Sequence, residues 1–288
     1  MLPIIGILIV LGSVFGGYLM HGGHMEVLFQ PSEFLIIWGA ALGTLIIATP
    51  LPVVMKIMKN VGRVVGGNKY DRTVYLDTLK MFNDIFQTAR KKGMMGLEAD
   101  VEKPEKSEVF KKYPAFLKNH HAVHFVCDTL RMAISGGIPP FDLDQMIDAD
   151  IEVHHEAHHQ PVSSLSTVAD ALPGLGIVAA VLGIVITMES LGGPPEELGR
   201  KVAAALVGTF LGILTCYGFL APLAAAMTAI DEAEGAYYRV LKAGLIGFVK
   251  GHPPIMAMEF ARRMIPHAER PTFLEMEKTC KGKIKDKE

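Results

Sequence analysis

Residues 173–185 read PGLGIVAAVLGIV and residues 207–222 read VGTFLGILTCYGFLAP. Extended to 168–191 and 202–230, each is an apolar run with no charge in its middle, long enough as a helix to cross about 30 Å of hydrocarbon. Proline removes a backbone donor and costs about 3 kcal/mol inside a helix, so Pro173 and Pro222 within these runs point to hinges. Gly176 and Ala180, then Gly208 and Gly212, repeat at spacing four, which lets helices approach closely. Thr187, Thr209, Thr215 and Tyr217 add hydroxyls to the same runs.

Working outward, residues 2–20 and 34–54 are two further uncharged runs, making four expected spans. No Lys or Arg precedes the first, and Tyr18-Leu19-Met20-His21 is a poor cleavage site, so it is expected to be a retained helix and not a signal peptide. Gly12 and Gly16, then Gly39 and Gly43, repeat the spacing of four; packing within one bundle and packing between copies both fit it. Residues 21–33 form a short external loop with Gly22, Gly23 and Pro31 as turn formers. Of the 28 Lys and Arg, fifteen fall in residues 53–167 and eleven in residues 231–288, leaving only Arg200 and Lys201. Basic residues stay on the cytoplasmic side, which places both polar regions and both termini inside.

The expected organisation is then residues 1–54 with two spans, 55–167 as a cytoplasmic helical domain, 168–230 with two more spans, and 231–288 as a cytoplasmic C-terminal region. The fold class is an all-α integral membrane protein. A net charge of −2 with acids and bases nearly balanced argues against a nucleic-acid partner. Cys127, Cys216 and Cys280 show no paired spacing and are expected to be reduced thiols.

In the polar domain Tyr75, Leu79, Phe82, Phe86 and Ala89 recur at three and four, the stripe of an amphipathic helix. It runs into Arg90-Lys91-Lys92, a glycine-bearing break, and then Glu98, Asp100 and Glu102. Positive charge suits a helix C-terminus and glycine suits its stop, while the same run could serve as a docking surface with basic and acidic halves. The charged tail from 281 to 288 is expected to fray.

Enzyme chemistry finds little support. His155-Glu156-Ala157-His158-His159 fits the H-E-x-x-H zinc pattern of a membrane metalloprotease, but the segment is rich in histidine and no third ligand follows before the membrane. No cofactor, metal or nucleophile constellation is expected. Asp170 and Glu189 lie near the ends of their span, so none of the four runs holds a central acid. If protons cross, a partner must supply the titrating group.

The two opening runs, GGYLM from Gly16, QPSEFLIIWGAALG from Gln30, SEVFKKYP from Ser107 and ERPTF from Glu269 together resemble the MotA family of flagellar motor stator subunits, within the MotA/TolQ/ExbB proton-channel superfamily. The resemblance covers nearly the whole chain. It implies that several copies, taken as five, surround two MotB transmembrane helices, which carry the proton-binding aspartate. Ion flow through that assembly in the bacterial inner membrane would drive torque on the rotor through FliG. On this resemblance Pro173 and Pro222 correspond to the family's functional prolines, Thr209 to its pore threonine, and Arg90 and Glu98 to its rotor-facing charged pair. Tyr217 would offer a further hydroxyl beside the path. Sodium-driven relatives carry a threonine where this chain has Ala180, which implies coupling to protons, since sodium needs oxygen ligands. An ExbB- or TolQ-like subunit energising an outer-membrane system is the nearest alternative; such relatives usually have three spans and lack the long loop after the second.

Overall fold

The computed structural model describes residues 2–67 and 69–281, and within them every regular element is helical. The charged tail beyond 281 lies outside the described residues. Two compact units are built from alternating parts of the chain: Met1–Gly67 with Ala157–Asp231, and Asn68–Glu156 with Glu232–Glu288.

The first unit holds the apolar helices α1 (Leu2–Met20), α2 (Met25–Leu28), α3 (Pro31–Ala48) and α4 (Leu51–Gly66). It also takes the C-terminal part of α9 (Pro140–Met188), α10 (Pro195–Ile213), a π-helical turn Leu214–Leu220, and the start of α11 (Ala221–Val249). Four stretches among the described residues are long and apolar enough to cross a membrane: Leu2–Met20, Met25–Ala48, Pro140–Met188 and Pro195–Val249. Two boundaries differ from expectation. The second apolar stretch already starts at Met25, in what reads as a loop, because His24 and Gln30 begin helices and Tyr18 closes the turn by donating to the His24 carbonyl (3.2 Å). It stops at Ala48, where Pro50 lacks the donor to continue it and leads into a separate helix.

Neither Pro161 nor Pro173 interrupts α9, a single helix of 49 residues. Pro222 is the second residue of α11, one residue beyond the π-helical turn. A proline has no N–H to return to the preceding turn, and a widened turn is one way a helix accommodates such a gap. Ile37, Ala41, Leu172, Ala179, Val207 and Leu211 form one apolar cluster of this unit, and Ile57, Val162, Leu165, Ala224 and Met227 another.

The second unit packs α5 (Arg72–Lys92), α6 (Glu98–Glu102), α7 (Pro114–Leu117), α8 (His120–Ser135), the start of α9, the end of α11, α12 (Pro254–Met264) and α13 (Phe273–Lys281). The predicted α5 stripe is buried throughout, with Phe86 stacked between Phe82 and Phe248 at centroid distances of 5.2 and 4.2 Å. Helix starts are fixed by side chains: Asp71 accepts from the Val74 N–H (2.9 Å) and Asn119 from the Ala122 N–H (3.3 Å). Ser107 of the SEVFKKYP segment accepts from the Val109 and Phe110 N–H groups and donates to Asp100. Thr272 and Glu275 of the ERPTFLE segment form a reciprocal capping box at α13.

Candidate functional site

The membrane-type site is the seam between α9 and α10. Its buried α9 positions, Leu172, Gly176, Ala179, Ala180 and Thr187, recur at three and four, one helical stripe. Glycine is required there. A Cβ on Gly176 would lie 2.8 Å from the Gly208 carbonyl oxygen and 3.1 Å from Gly212 Cα, and one on Gly183 would lie 2.7 Å from Ala205 Cβ. The spacing-four motifs of these two helices are therefore used within the chain. Those of the first two spans are not: a Cβ added at Gly12, Gly16, Gly39 or Gly43 would meet nothing within 4 Å. The opposite face of α9, with Ile177, Val181, Ile184, Val185 and Met188, is exposed and uncovered by the chain.

Ala180 and Thr209 both belong to the seam, Ala180 buried and Thr209 half-buried beside Gly176. Hydroxyls sort into two groups. Thr187 donates to the Gly183 carbonyl (2.7 Å) and Thr228 to the Ala224 carbonyl (3.1 Å), the ordinary back-bond of a helical threonine. Thr209 makes no such bond among the described residues. Tyr217 lies on the π-helical turn and is 66% exposed, away from the buried stripe. Pro173 is half-buried and Pro222 exposed.

Glu33 is the residue that sequence reading missed. Assigned to the external loop, it instead sits in the first turn of α3, is 6% exposed, and directs Oε2 at Gly208. A Cβ on Gly208 would lie 2.5 Å from that oxygen, 3.0 Å from Ala179 Cβ and 3.2 Å from the Ala180 nitrogen. Ala180 precedes the end of α9 by eight residues, about 12 Å along the axis. None of the four runs holds a central acid of its own; Glu33, just ahead of the second run and in the first turn of α3, instead directs an acid at the α9–α10 seam. The signal was available only as a charge immediately ahead of an apolar run.

In the other unit, Arg90 and Glu98 both stand exposed, on either side of Gly93, whose φ of 77° ends α5. Ion pairs stiffen this unit. Burial pushes the Asp144 carboxyl up, but hydrogen bonds from Lys242 and Lys250 outweigh it and hold the group below its ordinary value. Glu259 is held low chiefly by Arg262, with burial opposing and Arg263 assisting. Burial raises the Cys127 thiol to about 12 and the Cys280 thiol to about 11, so neither is a reactive thiolate.

The H-E-x-x-H residues His155, Glu156 and His159 occupy the exposed side of α9. Their neighbours turn inward instead: His154 Nε2 lies 3.8 Å from Glu234, and His158 Nδ1 lies 3.8 Å from Asp231.

Residues 4–93 match the family model for the motility protein A N-terminal region, and residues 117–238 match that of the MotA/TolQ/ExbB proton channel family. Motility protein A of Salmonella typhimurium is 39% identical over 277 residues, covering 96% of this chain and 94% of that one. Chemotaxis protein LafT of Vibrio parahaemolyticus is 38% identical over 274 residues, covering 95% and 96%. The fold is similar to that in a structure of C. jejuni MotAB (TM-score 0.75, 19% identity, 92% of this chain and 95% of that one). It is also similar to that in the flagellar MotAB stator complex from Bacillus subtilis (TM-score 0.72, 24% identity, 89% and 92%).

Proposed function

The chain belongs to the motility protein A family, and on that premise we propose that it is a flagellar motor stator subunit that forms a proton channel together with a MotB-type partner and converts ion flow into torque. The observation that carries this reading is similarity along nearly the whole chain to motility proteins, in a fold shared with MotAB complexes. The membrane is the bacterial inner membrane, with both termini cytoplasmic in keeping with where Lys and Arg fall.

The uncovered apolar face of α9 is the wall against which partner transmembrane helices pack, since a lipid-like surface on a seam held by glycine contacts offers close approach to another helix. Several copies of the chain, five on the family resemblance, surround two such partner helices. The open glycine faces of α1 and α3 suit contacts between copies. A partner aspartate is loaded and unloaded by the electrochemical gradient, worth about 2.3 kcal/mol per charge per 100 mV. Thr209, whose hydroxyl is not consumed by its own backbone, lines the path, and Tyr217 extends it. Ala180 contributes no oxygen to a sodium site, so protons are the coupled ion. Pro173 and Pro222 transmit the step towards the cytoplasmic unit. There Arg90 and Glu98 meet the rotor protein FliG with charges of both signs.

The test is proton uptake by vesicles holding the chain co-assembled with its MotB-type partner, under an imposed potential and with sodium removed. Uptake that needs both subunits and persists without sodium is expected. No uptake from the assembled complex, or uptake that ceases without sodium at constant proton gradient, overturns the reading; copurification with an ExbD- or TolR-type partner instead assigns the chain to the outer-membrane systems.

A further inference from the structure

We propose that Glu33 is a proton-carrying group on the external arm of the ion path, receiving a proton from the outside and releasing it inward along the α9–α10 seam. The inference deepens the stator reading and rests on it. Its ground is geometric. Glu33 is 6% exposed, and its Oε2 has no hydrogen-bond partner among the described residues. Around Gly208 of α10, the point at which Oε2 is aimed, the nearest other atoms are Ala179 Cβ and the Ala180 nitrogen of α9, so no charged side chain lies at that point.

Burying a carboxylate oxygen with no donor to meet it raises the cost of the charged form relative to the protonated one, so the unpartnered Oε2 calls for a function. Oε2 does not cap its own helix, because it has no hydrogen-bond partner and is aimed at Gly208 of α10. Gly208 is the permissive partner: any side chain there would collide with Oε2. The next residue along α10 is Thr209, which also belongs to the seam, beside Gly176, and whose hydroxyl makes no bond to its own backbone among the described residues.

The step is a proton transfer only. A hydronium on the external side gives its proton to the Glu33 carboxylate, forming the O–H bond and leaving water. The acid then gives that proton to a water or to the partner's carboxylate on the inner side, and the Glu33 carboxylate is restored.

The experiment compares the full chain with Glu33→Gln and Glu33→Asp, each co-assembled with the MotB-type partner in vesicles. Proton uptake is read together with the infrared carbonyl stretch of protonated carboxyls. Glu33→Gln keeps the shape and is expected to copurify with the partner yet lower uptake on the order of 100-fold, the scale of a positioned proton donor. Glu33→Asp, one methylene short, should fall about tenfold. One carboxyl band is expected to vanish in Glu33→Gln, a readout that a purely structural role leaves unchanged. Wild-type uptake by Glu33→Gln, or an unchanged carboxyl spectrum, overturns the proposal. Should Glu33→Gln lose the partner, Glu33→Asp decides: a reduced rate in the assembled complex supports the proposal and a wild-type rate overturns it. A wild-type complex that takes up no protons sinks the stator reading itself, whereas a conducting wild type with an equally conducting Glu33→Gln sinks this inference alone.

Discussion

Arg90 and Glu98 show how little a residue's chemistry means without its surroundings. Both are exposed, and neither has an ion-pair partner among the described residues, whereas Asp144, Lys242, Glu259 and Arg262 of the same unit are all engaged. Charges held in internal pairs are committed to the fold, while exposed charges beside a glycine stop can meet an incoming surface. Charge reversal at Arg90 or Glu98 should therefore slow swimming while leaving membrane levels and copurification with the MotB-type partner unchanged. Wild-type swimming by both variants would remove the rotor contact. The basic run was legible in the sequence, but helix stop and docking surface read alike there. The positive φ at Gly93 identifies the stop, and exposure leaves the docking role available to the side chains flanking it.

At the scale of elements, the four glycine-spaced motifs look the same as strings but do different work. Gly176→Ala places a methyl 2.8 Å from a backbone oxygen that cannot swing aside, and is expected to destabilise the purified complex by about 1–3 kcal/mol, read as a lower melting temperature. Gly16→Ala meets nothing within the chain and removes a helix-interior glycine, so the fold of the single chain should be no less stable, by about 0.5–1 kcal/mol if anything gaining. Loss of higher-order assembly in Gly16→Ala, with the chain itself stable, would assign that face to contacts between copies. Hydropathy located these helices to within a few residues. It erred at residues 25–33, where short polar spacing masks helix starts, and it could not foresee that α9 runs unbroken past two prolines.

Across the molecule, stability in acid should depend on carboxylates that the fold holds below their ordinary range. For such a group the stabilisation is complete above the unfolded-state value and disappears as pH falls through the lower folded-state one. The Asp144 group, ion-paired with Lys242 (2.7 Å) and Lys250 (2.9 Å), is of this kind, and Glu259 with Arg262 is another. Asp144→Asn is expected to cost ~1–3 kcal/mol near neutral pH, the worth of hydrogen bonds to charged groups, and to lose less further stability than wild type as pH falls below about 4. Denaturant midpoints of the purified complex at pH 7 and pH 3.5 check this; equal acid losses in both proteins would remove Asp144 from the account.

The sequence by itself determined the helical class, the apolar stretches, the amphipathic stripe of α5 and the family likeness, because hydropathy and periodicity are local properties written into windows of about twenty residues. Which glycines touch, which threonine keeps its hydroxyl, and where Glu33 goes were decided only by tertiary structure. Gly208 lies 175 positions from Glu33 along the chain, and no local pattern records that one helix buries its first-turn acid against another. The cost of an unpaired carboxylate becomes visible only once the helices that strip its water are in place.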